Sequence, residues 1–464
     1  MLIPLVPQGG EHDNVIKIKD AKAGKTFPWR LEYNCPVHEH WNIVHTGMLI
    51  PECRQIYICP DNCLRGVIMT AQEMGALDRI SSVMPDEREI SGGSLETITI
   101  EGVTDVLHKV KKRPRAVQLF PVCTHHLLGC DMRYIEDEIE KRFPDIDFME
   151  CFMDPVCQKL TTTPEQRQRF QMMKALADHP QDEDLSSVTM LGENLRVQES
   201  DLTQLLAQEG LELRQVQDCR TYDEYLSLGA SFLWLTRSPL SAYGLKKAAD
   251  LAGRRSLYMP AAIRADEIEA QEKALLEQVY LARGMKEEEA AGRAAERAAV
   301  VREKEEERTQ ELCRETLHAV GDLPVYLDYV GIPRPLGFAR FLLEHGFRVQ
   351  RVIADGISPE EAEDLSFVQT HYPDLEVMSS QAPASLYERE RMNIREKVLA
   401  IGPKAAYFTG SPYFVNVIEQ DGATGFLGVQ HILRLMQRAV LQPKNNEIVT
   451  GKGLGLPGVW EVSR

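Results

Sequence analysis

Three doubly wound, Rossmann-like parallel-sheet α/β units in series are predicted from three features of the chain. Short apolar runs alternate with amphipathic stretches along most of its length, and Gly or Pro marks many of the boundaries between them. Several cysteines fall just after such runs, where an open parallel sheet presents its ligand-binding edge. A chain of 464 residues is also too long for one ordinary core.

Residues 1–30 read as an N-terminal arm, polar and rich in Gly and Lys, with at most a short strand at 15–18. The first unit takes 31–180. Within it, Gly66-Val-Ile-Met-Thr-Ala-Gln-Glu-Met74 has helical amphipathicity, and Gly92-Gly93-Ser94 opens a helix that runs through Leu107. Ala116-Val-Gln-Leu-Phe120 has the apolar character of a buried parallel strand and delivers Cys123 to its carboxyl end. A helix over 134–142 and a strand over 145–149 follow, the strand carrying Cys151 to the same edge. Polar residues 179–184 form a linker. The second unit, 186–263, reads as strand 187–191 with a turn at Gly192, helix 199–208, strand 212–216, helix 222–228 and strand 231–235. Residues 264–320 are rich in Glu, Ala, Arg and Lys with opposite charges three or four apart, the pattern of one or two long solvated helices inserted between units. The third unit, 321–441, contains strand 324–329, helix 335–345, strand 347–354, helix 359–370, a late strand at Ala405-Ala-Tyr-Phe408 and helix 426–440. Residues 442–464 are a tail.

Charge and hydropathy exclude some classes. A net charge of −17 argues against nucleic acid, whose phosphates reward clustered Lys and Arg. No run of eighteen apolar residues suggests a membrane span, and the opening lacks the basic start of an export signal. A reducing cytoplasm is therefore expected, where clustered cysteines mean metal or catalysis rather than disulfides. Two phosphate-loop patterns fail on context. Gly24-Lys25-Thr26 runs into Phe27-Pro28 rather than a helix, and Gly453-Leu-Gly455-Leu-Pro-Gly458 contains a proline and lies too near the chain end.

Eight of the ten cysteines lie before residue 160, which points to sulfur chemistry in the first unit. Three accounts compete. Buried inert thiols suit Cys313, Cys219 and Cys130. Zinc could draw on Cys123, His125 or His126, and Cys59 or Cys63, although only Cys59-x₃-Cys63 approaches the tight pairs of structural sites. An iron–sulfur cluster held from loops far apart in sequence suits Cys35, Cys63 and Cys123, each near a proline and at an expected loop. Three thiolates do not complete an ordinary four-thiolate cluster, so a second subunit or an unusual ligand must supply the rest.

The order Cys35, Pro60-x-x-Cys63, Asp86-Glu-Arg-Glu-Ile-Ser-Gly-Gly93 and Cys123-x₃-Leu127-Leu-Gly-x-Asp131, with intervals of 28 and 60 residues between the three cysteines, resembles component 1 of the nitrogenase-like oxidoreductases. That family includes the molybdenum–iron protein subunits, their cofactor-assembly scaffold and the dark-operative protochlorophyllide and chlorophyllide reductases. The resemblance implies that Cys35, Cys63 and Cys123 bind a four-iron or larger iron–sulfur cluster at a subunit interface, with Cys59 and Cys151 as alternates. Cys63 is preferred to Cys59 because Pro60 precedes it at the family's spacing. The resemblance also implies two partners: an ATP-dependent iron–sulfur reductase of the P-loop type, and a paralogous or identical component 1 subunit. It departs from the family at the large cofactor. The strand end Phe232-Leu-Trp-Leu-Thr-Arg-Ser-Pro239 has no cysteine and 407–428 has no histidine, so a molybdenum-type cofactor anchored in the usual way is not expected. Two functions follow: an electron-transferring reductase subunit, or a non-catalytic scaffold for a cluster or cofactor precursor. A structural-zinc protein ranks third. Cys53, Cys157, His38, His40 and His45 are surplus to the family pattern, and with Cys59, Cys151, His125 and His126 could furnish a second metal site.

Overall fold

The computed structural model describes residues 14–24, 26–27, 32–37, 42–154, 157, 161–391, 397–418 and 423–450. The surplus His38 and His40 and the glycine-rich stretch 453–458 lie outside them.

β1 (Val15–Lys17) is followed by the four strands of the first sheet, β2 (Cys53–Ile58), β3 (Ile80–Val83), β4 (Ala116–Pro121) and β5 (Asp147–Glu150). They are parallel, in the order β3-β2-β4-β5. β2 and β4 are central and buried almost throughout, and Tyr57 stacks on Phe120 across them at 4.6 Å. Helix Leu95–Lys109 packs one face through Ile100, Val103 and Leu107, against Ile56, Ile58 and Val117 of the strands. Helix Ile43–Met48 approaches the other face so closely that a Cβ on Gly47 would lie 2.1 Å from Gln118 Oε1.

The second sheet contains β6 (Asp184–Met190), β7 (Glu212–Gln215), β8 (Ser231–Thr236) and β9 (Arg255–Tyr258), parallel in the order β7-β6-β8-β9. The third has β10 (Val325–Asp328), β11 (Val349–Ile353), β12 (Glu376–Met378), β13 (Leu399–Ile401) and β14 (Phe414–Val415). Its order is β1-β12-β11-β10-β13-β14, parallel except that β1 is antiparallel to β12, with Val15 opposite Met378. In each sheet the first parallel strand is flanked on one side by its immediate successor and on the other by a later strand. The reversal of winding falls between β2 and β4, between β6 and β8, and between β10 and β13.

Two expectations are corrected. Ala405–Phe408 belongs to a helix, Pro403–Thr409, and the strand ends earlier at Ile401. Pro403 sits at the first helical position, where its missing N–H is harmless, and Gly402 turns the chain at φ +100°. An apolar run buried on all sides does not reveal its period, which is why the strand expectation failed. The charged stretch 264–320 does form two helices, Ala265–Ala282 and Glu287–Val320, but it is not a solvated insertion. Leu275, Leu276, Val279 and Tyr280 of the first, with Ala290 and Ala294 of the second, enter the core of the second unit. Farther along, Leu312, Cys313 and Val320 enter the core of the third, beside helix Gly425–Leu441. The longer helix has 34 residues, or about 51 Å, and joins the two units.

Glu272 of this helix pair is 4% exposed, and neither carboxylate oxygen has a hydrogen-bond partner among the described residues. Burial, reinforced by Asp201, Glu269 and Glu305, pushes its pKa from the usual 4.5 up to about 8. The folded protein therefore keeps a proton there that the unfolded chain releases. Its contribution is complete below about pH 4.5 and is lost as the pH rises through 8. Glu272→Gln is expected to be more stable than the wild type above pH 8 by roughly 2–4 kcal/mol, the advantage shrinking toward pH 5. Thermal unfolding of both proteins across that range checks this, and a pH-independent difference would refute it.

Candidate metal–sulfur centre

β2 passes directly into Cys59 and Pro60, then a single 3-10 turn, Asp61–Cys63, from which helix Leu64–Glu73 continues. β4 passes through Val122 into the short helix Cys123–Leu127. Ile58 pairs with Pro121, so the two cysteine loops leave the sheet side by side at its winding reversal. That crevice is where open α/β sheets take ligands. Burial, the neighbouring Cys123 and Asp61 all raise the Cys63 pKa. Cys123 thus lies near enough to disfavour a thiolate at Cys63, an effect that a bound cation reverses.

The other sulfurs differ. Cys63 is exposed and Cys123 partly so, whereas Cys59 and Cys151 are wholly buried. Burial, with a smaller contribution from Cys63, pushes Cys59 up to about 12, and burial keeps Cys151 well above the ordinary thiol value. Cys53 is likewise buried and pushed up to about 12. Accessibility thus favours Cys63 over Cys59.

Cys35 lies in the third unit's apolar cluster with Tyr326, Val398, Phe408 and Phe414, 1% exposed. The adjacent Tyr33 N–H donates to the Gln381 carbonyl at 2.7 Å, which ties this segment to the third sheet.

On the far side of Cys123, β5 continues as Cys151-Phe-Met-Asp154, and Met153 bridges Val122 in parallel register. This brings Asp154 and Cys157 to His126. His126 Nδ1 lies 2.5 Å from Asp154 Oδ2, Cys157 Sγ lies 3.5 Å from the same oxygen, and the His126 ring stacks on Phe152. His125 points the opposite way. Its Nε2 meets Thr99 Oγ1 at 3.1 Å, and burial lowers its pKa to about 4, so it stays neutral in the core. His45, another surplus histidine, lies in helix Ile43–Met48, where its Nδ1 accepts the backbone N–H of the capping residue Asn42 at 3.2 Å. Sequence reasoning named His126 and Cys157 among the surplus residues and missed Asp154. Its only signal is a spacing of three residues before Cys157.

The same edge of the first sheet carries apolar side chains turned outward. Met84 follows β3, Ile68 and Met69 lie on the helix after Cys63, and Leu127 and Leu128 follow Cys123; Leu127 is 77% exposed. Exposed apolar groups gathered on one edge mark an interaction surface.

The segments leaving the winding reversals of the other two units, 191–200 and 236–241 in the second and 329–335 and 402–410 in the third, contain no cysteine or histidine. In the second, Glu193 accepts hydrogen bonds from the Arg237 and Ser238 N–H groups at 2.8 and 3.0 Å. In the third, buried Asp328 accepts from Val330, Gly331 and Ala405, while Lys404 Nζ donates to Tyr329 Oη and Ser380 Oγ.

Three winding reversals on three parallel sheets, the first bearing a cysteine pair, define a nitrogenase component 1-like α/β fold. The chain is similar over nearly its whole length to solved structures of nitrogenase Cp1. Against nitrogenase Cp1 at pH 6.5 it has a TM-score of 0.62 and 11% identity, covering 90% of this chain and 96% of that one. Against nitrogenase Cp1 at pH 5 the TM-score is 0.58 and the identity 12%, covering 92% and 94%. No protein-family model matches the sequence, and no curated protein matches it. Among the described residues no helix is long and apolar enough to cross a membrane.

Proposed function

We propose that this chain is the component 1-type subunit of a two-component reductase, with an iron–sulfur cluster held between Cys63, Cys123 and thiolates of a second subunit. The observation that carries this reading is the pairing of accessible Cys63 and Cys123 at the winding reversal of the first sheet, on an edge studded with exposed apolar side chains. The donors suit the group: two thiols converge and leave their outer side open, as a cluster shared between subunits requires. Such a cluster, when bound, supplies low-potential one-electron chemistry, tuned by thiolate charge and by how few donors reach its sulfurs. Here the chain positions the thiols from two rigid strand ends and surrounds them with apolar residues that a second subunit would cover. That subunit is an identical or paralogous chain, and a separate ATP-dependent iron–sulfur protein delivers the electrons. Cys35 is the third ligand in this reading, reached through the segment that joins the third sheet to the first unit. The setting is the cytoplasm.

A scaffold role is the second reading. It is favoured by the absence of cysteine and histidine, among the described residues, from the segments that leave the winding reversals of the second and third units. A large metal cofactor would find no such permanent ligand there, as suits a group that is held and handed on.

Anaerobically purified protein is expected to hold roughly two to four irons per chain with matching acid-labile sulfide. Cys63→Ala and Cys123→Ala should each lose most of that iron, and Cys59→Ala and Cys151→Ala should keep it. A Cys63→Ala protein with full iron would overturn the assignment, and Cys35→Ala with full iron would confine Cys35 to the apolar core. Release of the intact cluster to an acceptor protein, with no reduction of any substrate when the reductase is supplied, would select the scaffold.

A further inference from the structure

The first sheet's edge carries a second constellation that the cysteine pair does not use. We propose that His126, Asp154 and Cys157 form a mononuclear site for a borderline-soft divalent cation of the zinc(II) type, with one coordination position open to solvent.

Two neighbouring connections build it. His126 lies on helix Cys123–Leu127 after β4, and Asp154 and Cys157 lie in the segment after β5. The Cys157 N–H donates to the Asp154 carbonyl at 3.1 Å, closing a turn that holds the two residues together. Nδ1 of His126, Oδ2 of Asp154 and Sγ of Cys157 all lie within 4.8 Å of one another. An ion with tetrahedral bonds of about 2.0–2.3 Å sets its ligand atoms roughly 3.3–3.7 Å apart. The two edges at sulfur, 3.6 Å to Nδ1 and 3.5 Å to Oδ2, already have that length. The third edge, Nδ1 to Oδ2, is a hydrogen bond of 2.5 Å. Opening it by under about 1 Å lets the ion stand where the shared proton is now.

The donors select the metal. One imidazole nitrogen, one thiolate and one carboxylate oxygen are zinc ligands, and calcium and magnesium would reject the sulfur. Binding involves no redox change. The thiol proton leaves to solvent, the proton between Nδ1 and Oδ2 is displaced to Nε2 or to solvent so that the imidazole stays neutral with its proton on Nε2, and the ion bonds to Nδ1, Oδ2 and Sγ. The Asp154 side chain is fully buried while that of His126 is 43% exposed, so the ion would have protein behind it and water in front. Phe152 steadies the imidazole by stacking at 4.9 Å, and Arg167 lies over the Phe152 ring at 4.7 Å. The unit has another histidine–carboxylate pair, His179 with Asp147 at 2.7 Å, but its third partner is the Tyr222 hydroxyl, so it lacks the sulfur that would complete such a set.

Cobalt(II) alone is the probe, because a thiolate ligand gives it a charge-transfer absorption and four-coordination gives it intense visible bands. The full-length Cys63→Ser/Cys123→Ser protein, metal-free and anaerobic, removes the cluster thiols from the response. It is expected to bind one cobalt with a thiolate band that zinc(II) abolishes. Adding Cys157→Ser should eliminate the band, and adding His126→Gln should weaken binding about tenfold or more. Both positions are partly exposed, and a near-ultraviolet circular dichroism spectrum confirms folding of each variant. Absence of the band before Cys157 is changed, or its survival after, would overturn the proposal. Iron content reports on Cys63 and Cys123 and cobalt on Cys157, so the two assignments fail separately.

Discussion

Gly402→Ala is expected to destabilise the third unit by about 4 kcal/mol or more. Gly402 has φ +100° and ψ 161°, a region open essentially to glycine alone. A Cβ built there would lie 2.4 Å from both oxygens of Asp328. That carboxylate is fully buried and accepts three backbone N–H groups, from Val330 at 2.9 Å, Gly331 at 2.9 Å and Ala405 at 2.7 Å. Displacing it would strand donors on both sides of the winding reversal, each costing roughly 1–3 kcal/mol, on top of backbone strain of similar size. Gly410→Ala is the control, since Gly410 has φ +62° but open space around it, so only about 1–2 kcal/mol of strain is expected. Hydrogen-exchange protection of β10 and β13 measures both. Equal effects of the two substitutions would show that the Asp328 contact contributes nothing.

Asp364→Ala is expected to cost about 3–5 kcal/mol. The Asp364 side chain is wholly buried beneath three arginines, 2.6 Å from Arg264, 2.6 Å from Arg334 and 3.2 Å from Arg340. Arg334 also donates to the Ala261 carbonyl and to Glu267, so the same cluster ties the start of the helix pair to the third unit. Removing the carboxylate leaves guanidinium groups that are largely out of water and short of a counter-charge. A double-mutant cycle with Arg334→Met isolates the pair, because little further loss is expected once Asp364 is absent. Additive effects would show that the two groups do not interact.

The fold was legible where burial covers both faces of a strand. β4, β8 and β10 are runs of buried residues, and each was recognised within a residue or two. β3 and β9 are half-exposed along their length, with Ser, Arg and Tyr that neither alternate cleanly nor exclude a loop, and they passed unrecognised. β2 was missed because Arg54 and Gln55 interrupt its apolar character. Gln55 is nonetheless fully buried, bonded to the Val44 carbonyl and the Tyr57 hydroxyl, a polar core that no hydrophobic pattern announces. The helix pair was legible as helix from its charge spacing, but its buried Ala290, Ala294 and Ala298 stripe looked like the same solvated surface, since alanine suits either environment.

The candidate site divides in the same way. The Cys63–Cys123 juxtaposition follows from two loops leaving adjacent parallel strands, but β2 was not recognised, so the pairing was expected only from the family resemblance. The burial of Cys35 depends on contacts with residues about 290 to 380 positions away. The His126–Asp154–Cys157 group depends on β4 and β5 being neighbours, and its acid sits in a loop where carboxylates are ordinarily solvated.

The edge strand β1 has a consequence for how the protein is made. Val15 pairs with Met378, so β1 leaves the ribosome 363 residues ahead of its partner. At elongation rates of roughly 5–20 residues per second the delay is on the order of 20–70 s. The first two sheets take all their strands from residues 53–258 and can close in the meantime. The third is the last to be completed, and until then β1 is an unpaired edge in need of protection from other nascent chains.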